Sequence, residues 1–166
     1  MKPDIYKIKE IGRGSLSAMA KPRSGEWVNE EFQGIAESGI SKVISLLEVS
    51  EARDLDLNQE RQLSESNGMD FAQFPIPDRG VPTSLDEYCK FIKRQYFEIT
   101  NGANGVVHCR AGIGRTGMVT VSILLHSGYD SLEAFELVSE KRGIVVPDTQ
   151  QQIDWVCDNY KKIIGS

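Results

Sequence analysis

Cys109 and Arg115 stand at the two ends of a glycine-bearing stretch, Cys109-Arg-Ala-Gly-Ile-Gly-Arg115. The thiolate is the nucleophilic form of cysteine. The planar guanidinium can hold two oxygens of a tetrahedral oxyanion at once, a geometry that the lysine ammonium does not reproduce. Between them, Arg110, Ala111, Gly112, Ile113 and Gly114 fit a tight loop whose backbone N–H groups turn inward, with a helix N-terminus behind them. That is a cradle for an anion of phosphate size. The helix terminus and Arg115 would both favour thiolate over thiol at Cys109. A buried structural cysteine beside a glycine turn would use the same two residue types, so the surroundings decide.

Those surroundings are a strand and a helix. Gly105-Val-Val-His-Cys109 has the β-branched content of a short buried strand after a turn glycine. Met118 to His126 follows as an apolar helix that Gly128 stops. Upstream, Ile5 to Ile11 alternates as an edge strand, with a second short strand expected at Leu16 to Ala20. Asn29 is expected to cap a helix carrying Phe32, Ile35 and Ala36, ended by Gly39. Lys42 to Leu47 suits a central strand, Ser50 to Asn67 a polar helix and Phe71 to Phe74 another strand. Ser84-Leu-Asp-Glu87 opens a helix with Tyr88, Phe91, Ile92, Gln95 and Ile99 on one stripe. Asp130 is placed to cap a helix over Ser131 to Arg142, and Asp148 or Thr149 to cap the last one. The alternation predicts an α/β fold, a central, mostly parallel sheet flanked by helices, as one domain over 1–166. The loop at Cys109 then lies at the C-terminal edge of the sheet, where such folds bind ligands.

Were the anion in that cradle a phosphomonoester, its cleavage would also need a proton for the departing oxygen. Asp78 is the candidate, because Phe74-Pro-Ile-Pro-Asp-Arg-Gly-Val-Pro82 cannot be helix or central strand and must be a stiff loop. Asp86 is the rival acid, although a carboxylate in a helix's first turn has a plainer use. Lys21-Pro-Arg-Ser-Gly25 is expected to be either a solvated turn or one edge of the substrate pocket.

His108-Cys-Arg-Ala-Gly-Ile-Gly-Arg-Thr-Gly117 resembles the signature of cysteine-dependent protein tyrosine and dual-specificity phosphatases, His-Cys-x-x-Gly-x-x-Arg-Ser/Thr. The resemblance implies a phosphatase-like fold of dual-specificity size and a phosphocysteine intermediate, with no metal or other cofactor. It implies Asp78 as general acid, Thr116 as the hydroxyl that stabilises the leaving thiolate, and His108 as a residue tuning that thiolate from outside the pocket. The larger tyrosine-specific members carry a Trp-Pro-Asp loop and a Gln-Thr-x-x-Gln segment that orients water. Here those stretches are Ile76-Pro-Asp78 and Asp148-Thr-Gln-Gln-Gln152, so only Gln152 keeps its match and the small dual-specificity group is more similar. Lipid phosphatases of the superfamily have lysines where this chain has Ala111 and Ile113. The expected substrate is a phosphotyrosine protein or peptide, with phosphoserine and phosphothreonine as extensions. A small phosphorylated molecule, a phosphoinositide or an RNA 5′-end is the alternative within enzymes, and a silent phospho-binding module the alternative outside them.

With 166 residues, 40% hydrophobic and 26% charged, the composition is that of a soluble globular protein. A net charge of −5 argues against general binding to nucleic acid or an anionic membrane. The first residues are not those of a secretory leader, and the three cysteines form no metal or disulfide pattern. A reactive thiol points to a reducing, cytoplasmic setting, and a monomer is expected.

Overall fold

Residues 2–165 are described by a computed structural model. Among them five strands form one sheet: β1 (Tyr6–Ile11), β2 (Gly14–Met19), β3 (Lys42–Ser45), β4 (Asp70–Gln73) and β5 (Asn104–His108), in the order β1-β2-β5-β3-β4. Only the β1–β2 hairpin is antiparallel; β5 runs parallel to both of its neighbours, β2 and β3. The helices are α1 (Val28–Glu37), α2 (Val49–Asp54), α3 (Glu60–Ser66), α4 (Leu85–Thr100), α5 (Gly114–Leu125), α6 (Ser131–Arg142), α7 (Gln150–Asp158) and α8 (Tyr160–Gly165).

The period-two alternation of the central strands sends neighbouring residues to opposite faces. Val43 and Val106 pack with Phe32 and Ile35 of α1. Ile44 and Val107 join the larger core with Tyr88 and Ile92 of α4 and the apolar residues of α5. Every residue of α5 is buried, which suits a helix that, Arg115 apart, is apolar or small on all sides and surrounded by other elements. This rigid strand-then-helix unit carries Cys109 and Arg115.

Several elements depart from the expected boundaries. Asn29 does not cap α1. Gly25, at φ 83°, lets the chain enter a 3₁₀ turn over Gly25–Trp27, so Trp27 takes the cap position and Asn29 lies in the first turn. The expected helix over 50–67 is two helices, because the chain reverses at Asp56 (φ 58°) and buries Leu57. Strand β5 ends at His108, leaving Cys109 in the loop, and α5 starts at Gly114, which puts Arg115 in its first turn. Thr149, not Asp148, caps α7 by accepting from Gln152 N at 3.1 Å. The last helix is broken at Asn159, whose side chain donates to Trp155 O.

Candidate active site

Strand β5 delivers its C-terminal residue to the edge of the sheet, and the loop from Cys109 to Ile113 turns from there into α5. Gly112 has φ 74°, and a Cβ on it would lie 2.5 Å from Met19 O at the end of β2, so two constraints demand glycine there. Three carbonyls of this loop are held from outside. Arg142 at the end of α6 donates to Ala111 O (2.9 Å) and Gly112 O (3.1 Å), and Lys21 N donates to Arg110 O (3.0 Å). In a trans peptide the N–H points opposite to the C=O. The N–H groups of Ala111, Gly112 and Ile113 therefore turn to the other side, where they can receive an oxyanion. Arg110 itself is half-exposed, with Nε 3.3 Å from Glu51 Oε2.

Arg115 is only 2% exposed, and both of its terminal nitrogens are engaged. Its Nη1 donates to Glu51 Oε1 at 2.7 Å and Ile76 O at 2.9 Å, and its Nη2 donates to Glu51 Oε2 at 2.9 Å and Asp78 Oδ1 at 3.1 Å. The bidentate grip of Glu51 fixes the plane of the guanidinium. The hydrogen bonds from Arg115 hold the Glu51 carboxyl below its ordinary value, although burial opposes this. In the same first turn of α5, Thr116 Oγ1 donates to Cys109 Sγ at 3.1 Å, so the hydroxyl addresses the sulfur directly.

His108 is completely buried. Its Nε2 is 2.7 Å from Glu60 Oε2 and its Nδ1 is 3.1 Å from Cys109 O. A carbonyl and a carboxylate are both acceptors, an arrangement that favours hydrogen on both ring nitrogens. Burial alone would lower the imidazole's affinity for its proton; the Glu60 carboxylate outweighs it, and the net shift is upward. The shift favours positive charge directly behind Cys109.

Asp78 lies in the proline-bounded loop, 53% exposed, with its carboxylate against Arg115. Ile76, two residues earlier, is fully buried and anchors the loop. Behind Asp78 the chain turns tightly: Arg79 takes φ 57° and Gly80 N donates to Pro77 O. Gln152 ties this loop to α7. Its Nε2 donates to Gly80 O (3.0 Å), while its Oε1 accepts from Asp148 N (3.1 Å) and Thr149 N (3.3 Å). Asp148 stands beside Gly114, where the loop enters α5: a Cβ on Gly114 would be 2.6 Å from its Oδ2. Asp86 lies elsewhere, in the first turn of α4, beside a separate cleft with Leu85, Lys90 and Lys161.

The structure therefore brings together Cys109, Arg115, Thr116, Asp78 and the loop residues 110–114, with His108 and Gln152 behind them and Asp86 apart. Sequence reasoning missed Glu51, Glu60 and Arg142. Each sits at an end of a helix, where an acid near the start or a base near the finish is ordinary helix chemistry. The one usable signal was that a loop so rich in unsatisfied backbone carbonyls needs donors from elsewhere in the chain, a need that Arg142 meets.

A family described as "Polymorphic toxin system, DSP-PTPase phosphatase" matches residues 17–129. The chain is 27% identical over 93 residues to the Arabidopsis thaliana phosphatidylinositol 3,4,5-trisphosphate 3-phosphatase and protein-tyrosine-phosphatase PTEN1, covering 52% of this chain but 22% of that protein. It thus spans under a quarter of that relative. Among solved structures, kinase associated phosphatase with its catalytic-site cysteine changed to serine has a TM-score of 0.87 at 16% identity, over 100% of this chain and 98% of the other. Tk-PTP in its active form has a TM-score of 0.71 at 25% identity, over 96% and 97%. The first of these likenesses speaks to the fold.

Proposed function

The chain belongs to the DSP-PTPase phosphatases, the family matched over residues 17–129, and from that premise we propose that it hydrolyses phosphotyrosine in proteins, and phosphoserine or phosphothreonine as well, through a phosphocysteine intermediate. The observation that carries the reading is the convergence on one loop of Cys109 Sγ, the Thr116 hydroxyl and the Arg115 guanidinium, with the Asp78 carboxylate 3.1 Å from that guanidinium.

In the first step the Cys109 thiolate forms an S–P bond as the ester P–O bond breaks. The departing oxygen takes its proton from Asp78. Arg115 and the inward N–H groups of 111–113 hold the three phosphoryl oxygens, where most of the rate enhancement of phosphoryl transfer arises. Thr116 stabilises the sulfur as a thiolate. In the second step water forms a P–O bond, the S–P bond breaks and restores the thiolate, and the Asp78 carboxylate takes the water's proton. Arg110, Ala111, Gly112, Ile113 and Gly114 line the phosphate, His108 adds positive charge behind the loop, and Gln152 holds the acid loop in place.

Ala111 and Ile113, uncharged in the loop, favour a protein substrate over a phosphoinositide. The half-exposed Arg110 supports the phosphoinositide reading, as does the plant relative's name, which carries both activities. No helix among the described residues is long and apolar enough to cross a membrane. We place the enzyme in the cytoplasm, because a nucleophilic thiol needs a reducing compartment, and as a monomeric single domain over 1–166. The test is phosphate release from phosphotyrosine, phosphoserine and phosphothreonine peptides beside soluble phosphoinositides, with Cys109→Ser as control. Release from phosphoinositides alone would replace the protein reading, and equal release by the Cys109→Ser protein would remove the cysteine mechanism.

A further inference from the structure

Beside the phosphate-sized loop, on the same C-terminal edge of the sheet, lies a second cleft of about 450 Å³. Its walls include Lys2, Tyr6, Lys21, Arg23, Glu31 and Arg142. The topology explains why it lies there. Strand β2 runs parallel to β5, so the chain leaving Met19 emerges next to Cys109; β1 is antiparallel to β2, so Tyr6 pairs with Ala18 at that same edge. The cleft and the loop share one wall. Lys21 N is bonded to Arg110 O, and Arg142 bonds Ala111 O and Gly112 O while its guanidinium lies 4.3 Å from the Tyr6 ring centroid.

Charge sets this cleft apart from the rest of the molecule. The chain has a net charge of −5, yet four cationic side chains face two carboxylates here, Asp4 and Glu31. Glu31 is only 3% exposed, and both of its oxygens are already taken up by Arg23, through the backbone N–H at 2.7 Å and the guanidinium at 3.1 and 3.2 Å. That leaves Lys21 and Lys2, with Arg142 behind them, against Asp4. Lys21 is part-buried, lines the cleft and through its backbone N–H adjoins the loop. Positive charge concentrated in a concave site on an acidic protein selects an anion.

We propose that this cleft is a second phosphate subsite, which holds a further phosphomonoester of the same substrate while the first is in the loop. The proposal rests on the phosphatase reading and narrows its substrate class to molecules carrying two phosphates. The Lys21-to-Gly25 segment then has its function as the wall shared by both subsites. Lysine suits the role, because its mobile ammonium meets a phosphate at varied positions, whereas the fixed forks of Arg115 and Arg142 serve one geometry each.

The experiment compares kcat/KM for matched substrates with one phosphate or two, in two series: tyrosine peptides whose second phosphorylated residue is stepped along the chain, and soluble inositol mono- and bisphosphates. Wild type and Lys2→Ala/Lys21→Glu are assayed at low and at physiological salt. The expected result is at least a ~10-fold preference of wild type for two phosphates, falling to about 2-fold or less in the variant; the preference is a ratio taken within each protein, so a change in the single-phosphate rate, expected because Lys21 adjoins the loop, cancels. Preference in the peptide series assigns a doubly phosphorylated protein, and preference in the inositol series alone assigns a headgroup. No preference in either series, or a preference that the variant keeps, overturns the subsite while leaving the phosphatase reading intact. If wild type hydrolyses neither kind of substrate, the phosphatase reading fails and the subsite falls with it. Circular dichroism of the variant, whose changes lie on part-buried and exposed side chains, separates a lost subsite from a lost fold.

Discussion

Glu51 holds both terminal nitrogens of Arg115, at 2.7 and 2.9 Å, from the first turn of a helix far ahead of it in the chain. The pair is buried, with exposures of 2% and 8%. Arg115 can meet an oxyanion bidentately only if its plane is set beforehand, and the carboxylate sets it. Glu51 is thus a positioning residue acting through Arg115. Glu51→Gln should retain the shape but lose one charged acceptor, lowering kcat by about 10- to 100-fold, within the range for a displaced transition-state donor. Glu51→Ala leaves the guanidinium without its buried partner and should also destabilise the fold by about 3–5 kcal/mol. Urea unfolding and steady-state kinetics measure the two effects separately. A Glu51→Gln enzyme with wild-type kcat would show that Arg115 is held by Ile76 and Asp78 alone.

Cys109→Ser should bring turnover to background while vanadate or phosphate still binds. The inward N–H groups of 111–113 are set by bonds from Arg142 and Lys21, neither of which involves the sulfur. Calorimetric titration with phosphate checks the second half. Loss of binding together with turnover would mean that the loop's shape depends on the Thr116-to-sulfur contact.

The two histidines should titrate in opposite directions. For His126, burial pushes the imidazole below its ordinary value; for His108, burial also pushes down, but Glu60 raises the net value. Because the folded His108 is raised, its pairing contributes stability in full below the unfolded value near 6.5 and loses it as pH climbs through the folded value. Glu51 is lowered, so its contribution is present above its ordinary 4.5 and lost as pH falls through the folded value. Imidazole proton resonances followed against pH should give one curve above the ordinary value and one below. Glu60→Gln should bring the upper curve down and leave the lower one in place. Two coincident curves at the ordinary value would remove the buried imidazolium.

How far the sequence reaches depends on how local each relationship is. Cys109, Arg115 and Thr116 lie within one strand–loop–helix passage, and their geometry follows from glycines and a helix start. Asp78 was legible because prolines left its segment no regular structure. Glu51, Glu60 and Arg142 act across long separations, and their local signals coincide with the ordinary charge preferences of helix ends. The cap at Asn29 failed for a related reason: a glycine with positive φ started the turn earlier, and the tertiary path outweighed the local preference.

Asp78 offers the most discriminating test, because its carboxylate meets Arg115 as well as the leaving group. Asp78 Oδ1 accepts from Arg115 Nη2 at 3.1 Å, on a side chain 53% exposed. An entering phosphate must share that nitrogen with it. Asp78→Asn removes the competing charge and the proton together. Phosphate and vanadate should then inhibit more tightly, by about 3-fold, since a half-exposed ion pair is worth under ~1 kcal/mol. Turnover of phosphotyrosine and alkyl phosphates should fall by roughly 100-fold or more, the scale of general acid catalysis. The penalty should shrink steadily as the leaving group improves, because a good phenoxide departs without the proton. Asp86→Asn, on the exposed first turn of α4, should change neither quantity and cost at most ~1 kcal/mol of helix stability. A leaving-group plot measured on all three proteins decides the matter. Parallel slopes for wild type and Asp78→Asn would mean that the proton comes from another group, and Glu87, beside Asp86 in the same turn, is the next residue to replace.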